Sequence, residues 1–151
     1  WDSHGGPRPE QTMPYVRVAY EEHMADLLVG ADVAICRAGA STVTELAVAG
    51  LPAVLVPLPH APRDHQRANT REVESAGGAI VIDDAEVDAA RLAELLDPLI
   101  TDDARRNAMA DAATSVARPD AARDVAALLL DAGDITLEPG ISPGTADRST
   151  P

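Results

Sequence analysis

A recurring unit restricts the fold more than any other feature of this chain: a short apolar run, a turn, then a stretch of helical period. The runs occupy residues 32–36 (DVAIC), 53–57 (AVLVP) and 79–82 (AIVI). Strands this short and this uniformly apolar are expected to be buried on both faces, as in parallel sheets covered by helices. Helical patterns follow over 42–49, 64–76, 87–100, 102–116 and 120–132. Gly50, with Pro52 just beyond it, stops the first of these, and Gly77-Gly78 closes the second. Upstream, 15–19 reads as a further strand and 21–30 as a short helix with Met24, Leu27 and Leu28 on one face.

The composition fits a sheet packed closely by helices. Hydrophobic residues make up 46% of the 151, yet Phe is absent and only one Trp and two Tyr occur, so the core is built from Ala, Val, Leu and Ile. That length supports one domain with a real core. A net charge of −13 argues against nucleic acid, and against this surface meeting an anionic membrane. No apolar run approaches the roughly 20 residues that cross a bilayer, and no signal peptide is visible. The single Cys36 forms no intrachain disulfide and reads as a small buried hydrophobe. Together these features suggest a soluble intracellular domain over 15–132. An irregular, Gly/Pro-rich segment (1–14) precedes it, and a Pro/Gly/Ser/Thr-rich tail (133–151), read as disordered, follows. Opening on Trp-Asp-Ser, the chain reads as starting partway through something larger.

Open parallel sheets bind ligands beyond the carboxyl ends of their strands. Two loops have that position, 37–41 and 58–63. In the first, Ala38, Gly39 and Ala40 leave the backbone nearly bare, and Ser41 or Thr42 stands where a helix N-cap is expected. Unpaired N–H groups and the helix dipole there suit a phosphate or diphosphate. The stretch is neither a Walker loop nor a GxGxxG fingerprint. Thr42-Val-Thr-Glu45 also fits a capping box, so Glu45 has two uses open to it: capping its own helix or accepting from a ribose diol.

The second loop leads into Asp64, a candidate cap, and then His65, Gln66 and Asn69. Gln66 and Asn69 share a helix face, and their amides can both donate to and accept from sugar hydroxyls. An ordinary polar helix start is the alternative. His60 and His65 have only Asp64 between them as a third ligand, and no Asp-x-Asp occurs, so neither a metal site nor a cofactor is expected.

Read together, these loops resemble the donor-binding C-terminal domain of the MurG-type transferases, glycosyltransferase family 28. Those bacterial enzymes add N-acetylglucosamine (GlcNAc) to the lipid-linked muramyl-pentapeptide precursor of peptidoglycan. The resemblance lies in Cys-Arg-x-Gly-Ala-x-Thr with a Glu three residues on, Gly-Leu-Pro-Ala, Pro-x-Pro-His, and Asp-His-Gln-x-x-Asn. It runs from about residue 15 to residue 132. It implies an α/β fold: a Rossmann-like parallel sheet with helices on both faces, the C-terminal half of a GT-B glycosyltransferase, incomplete at its N-terminus.

By position, the resemblance implies that Gly39, Ala40, Ser41 and Thr42 surround the phosphates of UDP-GlcNAc and that Glu45 holds the ribose. Glu45 would then cap when the site is empty and bind ribose when it is filled. His65 and Gln66 would meet the GlcNAc hydroxyls, with Asn69 supporting them. Backbone near Tyr20 and Glu21 would meet the uracil, with Met24 packing nearby. The implied reaction is a metal-independent displacement with inversion at the anomeric carbon. The family's Gly-Gly-Ser-x-Gly-Ala loop and its acceptor domain are missing from this sequence. The chain is therefore expected to be a donor-binding half, inactive alone, and no catalytic base is named in it. Contacts with the lipid-linked acceptor and the cytoplasmic face of the membrane would come through the absent domain. Other expectations compatible with the motifs are a different GT-B donor domain, a split donor subunit, and a non-catalytic nucleotide-sugar-binding domain.

Overall fold

The computed structural model describes residues 15–60 and 64–133. They form two compact units that divide between Ala117 and Arg118. The first contains a three-stranded parallel sheet of β1 (Ala34–Arg37), β2 (Ala53–Val56) and β3 (Ala79–Val81), in the order β1-β2-β3. The register sets Ala34 opposite Ala53 and Ala53 opposite Ala79, so the three strands end at one edge of the unit. Around the sheet lie α1 (Met24–Gly30), α2 (Ala40–Ala49), α3 (His65–Ala76), α4 (Ala89–Thr101) and α5 (Asp103–Ser115).

The pleat of β2 divides the core. Its four residues are all buried and alternate between two faces. Ala53 and Leu55 pack with Val43 and Leu46 of α2, Val73 of α3, and Met109 and Ala113 of α5. Val54 and Val56 pack with Ile82 against Leu92, Leu95 and Leu96 of α4. Helices therefore cover both faces, as the apolar runs lead one to expect.

Two expectations fail at the β1 side. Residues 15–19 form no strand, and Tyr15, Val16 and Val18 are exposed. Among the described residues no strand lies beside them to complete a ladder. β1 itself alternates between half-buried and exposed, with Ile35 45% exposed, rather than being buried on both faces. Among the described residues it pairs with β2 alone, so it is an edge strand, and its composition overstates its burial.

Helix ends follow the glycine signals. Gly50 takes φ 64°, and the Gly50 and Leu51 N–H groups donate to Ala47 and Leu46 carbonyls at 3.2 and 3.0 Å. This is the Schellman arrangement, in which a left-handed residue turns the chain back over the last carbonyls. α6 (Ala121–Gly133) belongs to the second unit and carries Val125, Leu128 and Leu129 at i, i+3 and i+4 on one face. No described helix is long and apolar enough to cross a membrane.

Candidate functional site

β1 ends at Arg37, and the chain turns into α2 through Ala38 and Gly39. The helix begins earlier than the hydroxyl pattern suggests. Its N-cap is Gly39, its first residue is Ala40, and its first backbone bond runs from Val43 N to Gly39 O at 2.9 Å. Thr42 and Ser41 are therefore inside the helix, not at its cap, and no side chain caps this end. A Thr42–Glu45 capping box is thus excluded, and with it the idea that Glu45 alternates between two tasks. The physical reason is that glycine serves as an N-cap and alanine is the best helix former, so the bare loop itself starts the helix. The N–H groups of Ala40, Ser41 and Thr42 are left at the helix N-terminus without a helical acceptor.

Glu45 lies one turn in and is exposed. Among the described residues it has no hydrogen-bond or ion-pair partner. Its neighbour Thr44 is occupied, with Oγ1 donating to Ala40 O at 2.9 Å. Both residues line a groove of about 390 Å³ between α1 and α2, otherwise bounded by Met24, Ala25, Leu28, Val29, Val48 and Ala49. A lone carboxylate thus borders an apolar slot on the helix whose N-terminus is uncapped. Glu21 lies just before α1, and its Oε1 accepts from His23 N at 2.8 Å, which fixes the turn leading to Met24.

α3 forms the second wall. Asp64 holds its N-cap position with φ 51°, in the left-handed region, but its side chain does not cap the helix. His60 is also left-handed, at φ 60°. Such backbone in non-glycine residues costs energy and is concentrated at functional loops. Residues 61–63 of this loop lie outside the described residues. His65 opens the helix and is exposed.

Each of the two amides holds a backbone group of a neighbouring loop. Gln66 Oε1 accepts from Leu58 N at 2.9 Å, tying the helix start to the loop after β2. Asn69 Nδ2 donates to Ala38 O at 3.0 Å, tying α3 to the loop after β1. Ala38 is fully buried, so this bond satisfies a carbonyl in a water-poor position. Asn69 thus has a structural partner in the loop after β1, and sequence reasoning had no signal for it across 31 residues.

Arg37 is the residue that sequence reasoning left without a role. Its guanidinium reaches back across the carboxyl ends of the strands, donating to Val56 O at 3.4 Å and to Asp84 Oδ1 at 2.5 Å. Next to it, Arg67 of α3 pairs with Asp83 at 3.0 Å. Cys36 turns toward the core, and burial pushes its thiol pKa up, so it stays protonated and unreactive near neutrality. Among the described residues, no three His, Cys, Asp or Glu side chains group as metal ligands.

Known proteins resemble this chain in sequence and in fold. Residues 4–125 match the glycosyltransferase family 28 C-terminal domain. One relative is the UDP-N-acetylglucosamine--N-acetylmuramyl-(pentapeptide) pyrophosphoryl-undecaprenol N-acetylglucosamine transferase of Mycolicibacterium smegmatis, 44% identical over 125 residues. That match covers 83% of this chain and 32% of the relative. The transferase of the same name from Salinibacter ruber is 49% identical over 114 residues, 75% of this chain and 30% of its own. A crystal structure of Acinetobacter baumannii MurG superposes with a TM-score of 0.70 at 38% identity, over 76% of this chain and 33% of that one. The chain spans about a third of the length of the relatives it matches. It belongs to the glycosyltransferase family 28 C-terminal domain family.

Proposed function

We propose that this chain is the UDP-GlcNAc-binding part of an N-acetylglucosaminyltransferase of peptidoglycan synthesis. The observation that carries the reading is the start of α2. Three helix-terminal N–H groups stand uncapped beyond the bare Ala38–Gly39 turn, one helical turn from a carboxylate that has no partner among the described residues and borders an apolar groove. A diphosphate fits the first feature, a ribose diol the second and a flat base the third. On this reading Gly39, Ala40, Ser41 and Thr42 surround the phosphates and Glu45 accepts from the ribose hydroxyls. The base lies toward Glu21 and Met24. His65 and Gln66 meet the sugar, with Asn69 holding the loop on which the phosphates rest.

The leaving UDP gains negative charge as the glycosidic bond breaks. Fixed N–H dipoles at a helix N-terminus stabilise that charge without having to reorganise, and they need no metal to do so. The attacking hydroxyl of a lipid-linked muramyl-pentapeptide, the base that deprotonates it, and the contact with the inner face of the membrane are assigned to the remainder of a longer enzyme. Inversion follows from a single displacement. The closest competing reading, a donor domain for another acceptor, uses the same groups of this chain.

Titration calorimetry of the 151-residue chain tests the reading. UDP binds, and Glu45→Ala weakens UDP by about tenfold or more, the worth of a charge-assisted hydrogen bond. The same substitution leaves 2′,3′-dideoxy-UDP and free GlcNAc nearly unaffected. Equal loss for UDP and its dideoxy analogue removes Glu45 from the ribose, and no heat with UDP rejects the donor site.

A further inference from the structure

The loop that offers its N–H groups to an anion is two residues long and has almost no side chain of its own, so something else must hold it still. Its first peptide is anchored on one side by Asn69, whose Nδ2 bonds the buried Ala38 carbonyl at 3.0 Å. On the other side stands the side chain of Arg37, the residue directly before it. One guanidinium nitrogen, Nη1, makes both contacts: to Val56 O at the end of β2, and to Asp84 Oδ1 in the turn Asp84–Glu86 after β3. One side chain therefore links the carboxyl ends of all three strands at the point where the loop departs.

We infer that Arg37 and Asp84 form a positioning pair for the donor site, setting the direction in which the Ala38–Gly39 turn presents the N-terminus of α2. The inference rests on the proposed donor reading for its functional consequence, but not for its geometry. Arg37 and Asp84 side chains are 51% and 39% exposed, so the pair adds little to global stability through its charge alone. Its effect is local. A planar guanidinium can bond a carbonyl and a carboxylate at once, which a lysine ammonium does with less directional control. Arg37 touches no reacting atom on this account; it acts through the backbone that follows it.

A double-mutant cycle on the 151-residue chain separates this from a general structural role. Arg37→Gln and Asp84→Asn are each expected to weaken UDP by roughly 3- to 30-fold, the range for positions that bias a site through its neighbours. Uridine, which lacks phosphates, is expected to bind all three variants as it binds the parent. The double variant should bind UDP no worse than either single one, because each substitution breaks the same link. Additive losses, or losses shared equally by uridine, overturn the positioning role. A second measurement needs no ligand. The Val43 amide, bonded to Gly39 O at 2.9 Å, should exchange its proton at least about threefold faster in Arg37→Gln than in the parent. The amides of β2 should keep their protection. Unchanged Val43 exchange overturns the inference even when UDP binds. If the parent chain binds no UDP yet Val43 exchange rises, the donor reading fails and the positioning pair stands.

Discussion

Gly39 takes φ −63° and ψ 147°, angles that any residue adopts, and a Cβ built on it would meet nothing closer than Thr42 Oγ1 at 3.6 Å. Neither backbone strain nor internal packing requires a glycine there. What glycine provides is open space over the first N–H groups of α2, which matters only when something approaches them. Gly39→Ala is therefore expected to fold, with a loss of about 1 kcal/mol at most from replacing a tolerated N-cap. Its added methyl group should weaken UDP by about tenfold. Denaturant unfolding and calorimetry on the same sample check both halves; an affinity that falls no further than stability does would show that the space is idle. At this scale the sequence was legible where a side chain was missing. The run Ala38–Gly39–Ala40 marked a bare loop; the structure has one at Ala38 and Gly39, with Ala40 opening α2. It misled where a side chain was present. Thr42-x-x-Glu45 spells a capping box, but the helix already begins at Ala40, so the same letters sit one half-turn inside and Glu45 is left without a partner among the described residues. Gln66 and Asn69 each also hold a backbone group of a neighbouring loop, at 2.9 and 3.0 Å. Bonds of that kind join residues distant in sequence, and no local pattern encodes them.

Among the elements, α5 shows how closely the helices approach the sheet. A Cβ on Gly78 would lie 2.6 Å from both the Cα and the N of Ala113, backbone atoms that cannot move aside without shifting the helix. Next to it, Gly77 has φ 84° but open space around it. The two adjacent glycines are therefore required for different reasons, one for packing and one for its turn. Gly78→Ala is expected to cost about 1–3 kcal/mol by overpacking, and Gly77→Ala about 1 kcal/mol, from left-handed strain alone. Urea unfolding of the two variants checks the order; equal losses would mean that α5 has room to retreat. The strands at 53–56 and 79–81 and the helices that follow them were legible because their apolar period and glycine stops agree with the packing found. The strand expected at 15–19 was not formed, since a strand needs a neighbour and composition supplies only a propensity. β1 was over-read for the same reason: Val33, Ala34 and Ile35 are apolar, but burial depends on what lies beside an edge.

At the scale of the molecule, the order β1-β2-β3 brings the ends of all strands, the uncapped start of α2 and the first turn of α3 to one side of the sheet. That is where open parallel sheets bind their ligands, and it is where Arg37, Asp84, Asn69 and Gln66 fasten the loops together. A chain with a net charge of −13 that binds a diphosphate must do so through local donors rather than through its overall field. The N-terminus of α2 supplies such donors. Amide NMR of the chain during addition of UDP tests directly whether UDP engages them. Saturable shifts are expected at about millimolar UDP or below, largest for Ala40, Ser41 and Thr42. They should be accompanied by Glu45 and the groove residues Met24 and Leu28, and free GlcNAc should reproduce none of the shifts at α2. Shifts that leave residues 40–42 untouched, or that fail to saturate, would contradict that engagement.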